Sequence, residues 1–133
     1  MAQEMTMSFD GGMRVTAHYG DFAIATDQAV DDGGDASAPQ PYDLFLASLA
    51  TCAAFYVLRF CQKRDLPTDG IRVIQTWQRE EGSKRMARIA LRVEVPESFP
   101  AKYHQAVVRA ADQCSVKKTL IDPPEITTEL VVS

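Results

Sequence analysis

The chain has 133 residues, 46% of them apolar and 24% charged, with a formal net charge of −4 at pH 7. That length suits one domain with its own core, so a single domain over residues 1–133 is expected, and the composition excludes a disordered chain. Basic residues are scattered among acidic ones instead of forming a stripe, so a nucleic-acid backbone is not the expected partner.

The chain opens without a basic segment, apolar core and small-residue cleavage site in Met1 to Thr16, so no secretory signal is read there and the cytoplasm is the expected location. Residues from Met5 to Asp27 alternate polar and apolar, broken at Asp10-Gly11-Gly12 and at Tyr19-Gly20-Asp21, which predicts three short strands joined by tight turns. From Gln28 to Gln40 the acidic and glycine-rich run Asp31-Asp32-Gly33-Gly34-Asp35 predicts a surface loop.

Pro41 suits a first helical position and Asp43 complements the positive end of the helix dipole, so a helix is expected to start there. Only Ser48 and Thr51 interrupt the apolar run from Leu44 to Leu58, which predicts a helix covered by protein on nearly every side, with Leu44, Phe45, Leu49, Phe55 and Tyr56 in the core. The run is too short for a membrane span of roughly 20 apolar residues, so no membrane partner is expected. Lys63-Arg64 marks its end, before Leu66-Pro67 and Asp69-Gly70.

Ile71 to Arg79 and Met86 to Val95 alternate in the same way around Glu81-Gly82-Ser83, predicting an antiparallel hairpin with one buried face. Ser98 is a candidate cap for a second helix, on which Tyr103, Val107, Ala110 and Ala111 recur at helical spacing, ending near Gln113. Cys114 then lies at an element boundary, with Ser115 as candidate cap of a further turn stopped by Asp122-Pro123-Pro124. Ile126 to Val132 alternates cleanly and is predicted to be the last strand of an α+β fold.

The chemistry-bearing side chains are the three cysteines, an odd and scattered set that predicts free thiols, with no Cys-x-x-Cys pair and no metal site. Cys52 and Cys61 are nine residues apart on one predicted helix, hence on opposite faces and about 13 Å apart along the axis. A disulfide needs Cα atoms within about 7 Å, so any pair inside one subunit must include Cys114. Cys61 sits beside Gln62, Lys63 and Arg64, whereas Cys52 stands among Ala50, Thr51, Ala53 and Ala54, where another element has room to approach. Buried cysteine is often a small hydrophobe and nothing more, but Lys117 and Lys118 after Cys114 are cations that would favour a thiolate.

The stretch Pro41-Tyr42-Asp43-Leu44-Phe45-Leu46-Ala47-Ser48-Leu49-Ala50-Thr51-Cys52, followed downstream by Cys114-Ser115-Val116-Lys117-Lys118-Thr119-Leu120, resembles the central helix and second cysteine motif of the OsmC and organic hydroperoxide resistance family. The resemblance spans nearly the whole chain in element order. It implies an antiparallel β-β-β-α-β-β-α-β fold wrapped around a long buried helix, an intertwined homodimer, and active sites at the subunit interface, without a cofactor. It further implies that Cys52 is peroxidatic and Cys114 resolving, that an arginine stabilises the thiolate and a glutamate near the helix start holds that arginine, and that an external dithiol reduces the product.

Two positions depart from the family pattern: Tyr42 stands at the glutamate position with Asp43 next to it, and Ser115 stands where many relatives have proline; the turn Asp10-Gly11-Gly12-Met13-Arg14 offers Arg14 as the candidate arginine. The activity implied is thiol-dependent reduction of organic hydroperoxides. The alternative is a dimer without turnover that binds a small apolar or thiol-bearing ligand at the same interface.

Overall fold

The computed structural model describes residues 3–133, which divide between Ala47 and Ser48 into two compact units. The first begins with three antiparallel strands in sequential order, β1 (Thr6–Phe9), β2 (Val15–Tyr19) and β3 (Phe22–Thr26). Pairing ends at Tyr19↔Phe22, leaving Gly20 and Asp21 as a two-residue loop. Gly20 has φ of 55° there, which a Cβ would oppose.

The loop after β3 is built around one carboxylate. Asp27 is 1% exposed and accepts hydrogen bonds from the backbone N–H groups of Gln28 (2.7 Å), Asp35 (3.3 Å) and Ser37 (3.0 Å) and from the Ser37 hydroxyl (2.6 Å). Those donors, the Ser37 hydroxyl foremost, hold its pKa at about 2 against the opposing effect of burial. The backbone closes so tightly that a Cβ on Gly34 would fall 2.6 Å from the Gln28 carbonyl carbon and 2.8 Å from Asp27 Oδ1.

The loop leads into α1 (Pro41–Gln62). Asp43 accepts from the Gln40 N–H at 3.0 Å, the return half of a capping box, and Pro41 occupies the first helical position where its missing N–H is no loss. At the far end Asp65 takes a left-handed φ of 51°, and the Leu66 N–H reaches back to the Cys61 carbonyl at 2.9 Å, closing the helix with a Schellman turn. The guanidinium of Arg64 lies 3.7 Å from the Phe60 ring centroid and donates to the Phe60 carbonyl, a cation where the helix dipole is negative.

In the second unit β4 (Arg72–Arg79) and β5 (Met86–Glu94) form the predicted hairpin, paired from Arg72↔Glu94 to Arg79↔Met86 with an irregularity between Gln78 and Arg79. After a 3-10 turn at Ala101–Tyr103 come α2 (His104–Ala111) and α3 (Ser115–Ile121). The core of this unit combines Leu49, Ala53, Val57, Phe60 and Cys61 of α1, one helical face at spacings of three and four, with Phe99, Val107, Ala111 and Cys114. Ile71, Val73, Ile89, Leu91 and Val93 of the hairpin pack against it. Although α1 is long and apolar enough to cross a bilayer, it is thereby the core helix of this unit.

Four expectations are corrected. Residues 126–132 form no strand: Ile126, Leu130 and Val132 are 85%, 89% and 87% exposed, because alternation marks a segment able to pair without supplying its partner edge. Nor is α1 covered all round within one chain, since Phe55 (51%) and Leu58 (40%) are exposed, and of the five residues expected in the core only Leu49 is fully buried. Ser98 caps nothing, because the 3-10 turn intervenes and Tyr103 precedes α2. Ser115 is the first residue of α3 and not its cap; the cap is the sulfur of Cys114.

Candidate functional site

Two sulfurs from remote parts of the sequence meet where α3 starts against α1. Cys114 is 1% exposed, and its Sγ accepts from the Lys117 N–H at 3.4 Å, satisfying one of the donors that a helix start leaves open. The same thiol donates to the Leu49 carbonyl at 3.7 Å, one turn before Cys52 on α1, and lies near enough to Cys52 for each sulfur to shift the other's acidity. Cys52 is only partly buried and stands 3.6 Å from the Ser115 hydroxyl. The neighbouring Ala53 is fully buried, a small residue beside the cysteine on the helix face that enters the core.

This arrangement pulls the two thiols apart in acidity. Burial alone would raise Cys52, but the Val116 N–H, the hydroxyl and N–H of Ser115 and the Cys114 thiol all point to its sulfur and bring its pKa from 9.0 down to about 7. Cys114 moves the other way: burial pushes it up, and the neighbouring Cys52 sulfur adds to the rise, against the opposing Lys117 and Val116 N–H groups. Near neutral pH the pair is therefore a partly ionised, partly accessible sulfur beside a buried neutral thiol. Cys61 is 0% exposed in the core and raised by burial, partly offset by Arg64, which makes it the least reactive of the three.

The lysines do not act as the sequence suggested. Lys117 Nζ is bound to Asp112 at 2.7 Å and Lys118 Nζ to Gln113 at 3.0 Å, so the polarising groups at the pair are N–H, O–H and S–H donors. Sequence reasoning missed the hydroxyl of Ser115 as a partner of Cys52. A serine directly after the second cysteine was the available signal, but capping was the more ordinary use for it. The other two candidates belong to the N-terminal unit. Arg14 bridges Asp35 at 3.4 Å and the Asp10 carbonyl at 3.2 Å, and Asp43 holds the Gln40 N–H.

On α1 an open groove of about 540 Å³ is lined by Thr51, Ala54, Phe55, Leu58, Ile71 and Val73 among others, Cys52 not being one of its lining residues. Its walls are aliphatic and aromatic with threonine hydroxyls as the polar groups, so it suits an apolar surface.

The family model for OsmC-like proteins matches residues 33–129, which include α1 and both sulfurs of the pair. The chain belongs to the OsmC-like family. No curated protein is similar enough to be matched. Among solved structures, a Psychrobacter arcticus protein assigned to osmotic stress induction and the detoxification response superposes with a TM-score of 0.74 at 21% identity, over 90% of this chain and 88% of that one. An OsmC-like protein from Mycoplasma pneumoniae gives 0.71 at 16% identity, covering 92% and 89%. An organic hydroperoxide resistance protein OsmC from Legionella pneumophila gives 0.59 at 15% identity, covering 90% of each. At such identities the likeness establishes the OsmC-like fold.

Proposed function

We propose that this OsmC-like protein is a thiol-dependent peroxidase that reduces organic hydroperoxides in oxidative-stress defence. The observation that carries the reading is the meeting of two sulfurs at the start of α3: Cys52, 3.6 Å from the Ser115 hydroxyl with its pKa brought to about 7, and the buried Cys114 thiol next to Ser115, bound to the α1 carbonyl of Leu49. In the first step the Cys52 thiolate attacks the distal oxygen of ROOH, the O–O bond breaks, and sulfur takes up the oxygen as sulfenic acid while RO⁻ leaves as the alcohol after protonation. In the second the Cys114 sulfur displaces hydroxide from that sulfenic acid, releasing water and forming the Cys52–Cys114 disulfide. An external dithiol then returns both cysteines to thiols and leaves as its own disulfide.

The higher pKa of Cys114 suits the second role, because a neutral thiol neither competes for the peroxide nor repels the Cys52 thiolate. The apolar groove on α1, which begins at Thr51, supports an alkyl or aryl hydroperoxide over hydrogen peroxide. Following the family resemblance, Arg14 and Asp43 are proposed as the guanidinium that would stabilise the thiolate and the carboxylate that would hold that guanidinium. A homodimer belongs to the same reading, supported by the exposed Phe55 and Leu58 on α1 and by the unpaired apolar alternation of residues 126–132.

The decisive assay follows cumene hydroperoxide consumption with dithiothreitol as reductant. Cys52→Ser is expected to abolish turnover, and Cys114→Ser to stop it after one equivalent unless the reductant attacks the sulfenic acid directly. Equal rates for wild type and both variants would end the proposal, and unchanged rates in Arg14→Ala and Asp43→Asn would remove those two residues from it.

A further inference from the structure

We propose that Ser115 is the positioning residue of the Cys52 thiolate, holding and stabilising it with its hydroxyl and its backbone N–H. The inference deepens the peroxidase reading, in which Cys52 is the attacking sulfur. It starts from the 3.6 Å separation of Ser115 Oγ and Cys52 Sγ. Either atom could donate while Cys52 is protonated, but a thiolate has no proton to give, so in the reactive state the hydroxyl must be the donor. A hydrogen bond donated by the hydroxyl is stronger to a charged sulfur than to a neutral one, and so favours the charged state.

Two features of α3 fix the hydroxyl in place. Ser115 is the first residue of the helix, so its own N–H has no intrahelical acceptor and is free to serve the sulfur, as is that of Val116. Its carbonyl is held by the Thr119 hydroxyl at 2.9 Å, and the preceding residue is pinned by the Cys114 Sγ bond to Lys117 N–H. Other groups at the sulfur are accounted for: the titratable neighbour is Cys114, whose own ionisation burial opposes, and the α3 cations are engaged with Asp112 and Gln113.

Substitution separates the two donors. Ser115→Ala removes the hydroxyl and keeps the N–H; Ser115→Pro removes both. Proline is tolerated at a first helical position, and Cys114, at φ −48° and ψ 120°, is already out of the helical region that a following proline disfavours. Ser115→Thr restores the hydroxyl. The readout is the pH dependence of Cys52 alkylation by iodoacetamide, followed by peptide mass mapping in the full-length protein, with circular dichroism confirming the fold of each variant.

The midpoint of the wild-type profile is expected near pH 7. It should rise by roughly one pH unit in Ser115→Ala, rise further in Ser115→Pro, and return toward wild type in Ser115→Thr. Unmoved midpoints in folded alanine and proline variants overturn the assignment. A protein that consumes no hydroperoxide but whose Cys52 midpoint still follows residue 115 would end the peroxidase reading and leave this one standing.

Discussion

Replacing Gly34 by alanine tests the loop that leads into α1. Gly34 does not have a positive φ, so the substitution asks about space and not about backbone preference. The new methyl would lie 2.6 Å from the Gln28 carbonyl carbon and 2.8 Å from Asp27 Oδ1, where ordinary contact begins at 3.4 Å. Its neighbours are backbone and a carboxylate held by four donors, so neither can swing aside cheaply. Opening the site disturbs both the Gly34 N–H bond to the Ala29 carbonyl and the donors around Asp27, and an overpacking cost of about 1–3 kcal/mol is expected. For a chain of this size that is a fall in Tm of roughly 3–5 °C per kcal/mol. Thermal unfolding by circular dichroism measures it, with Gly20→Ala as the control: that site has nothing within 4 Å and φ of 55°, so only conformational strain acts. Equal stability of Gly34→Ala and wild type would refute the claim that this loop is closed on itself without room for a methyl.

Three further outcomes follow from other sites. Iodoacetamide at pH 7.5 should label Cys52 first and leave Cys61 unlabelled until the protein is denatured, as read by peptide mapping; early labelling of Cys61 contradicts its burial. Asp27 is held at about 2, below its ordinary 3.8, so its carboxylate adds stability that is fully present well above pH 3.8 and is lost as pH falls toward 2. Asp27→Asn should therefore flatten the acid limb of a stability profile, and an unchanged limb would count against the network. Lys84 has φ of 60° in the hairpin loop, so Lys84→Gly should raise stability by roughly 0.5–1 kcal/mol in urea unfolding, whereas a loss would show that its side chain matters more than its strain.

Much of the fold could be read from local signals. Strand alternation and glycine breaks located the meander and the hairpin, and Pro41, Asp43 and Lys63-Arg64 located both ends of α1, because capping and dipole effects act within a turn of the residues that cause them. What resisted reading depends on partners remote in the chain. The alternation of residues 126–132 is that of a strand, but no local feature says whether an edge is available to it. Cys61 looked polar from its neighbours Gln62 and Lys63, yet its helical face, not its sequence company, sends it into the core. Asp27 read only as the end of the alternating meander, because three of its four donors come from residues eight and ten positions away. At the candidate site, Cys114 could be singled out by elimination, but the Ser115 contact to Cys52 spans 63 residues of chain, and only the folded geometry distinguishes that use from capping.

The position of Cys61 carries one more consequence. A thiol walled off at 0% exposure in the middle of the second unit's core cannot be counted by a water-soluble reagent while that core holds. The folded protein would thus present at most two titratable sulfurs and the unfolded protein three, so that the third equivalent of reagent becomes an internal gauge of core opening. Storage damage, heat or a destabilising substitution could be followed with the same chemistry that reports on the pair, with no added label.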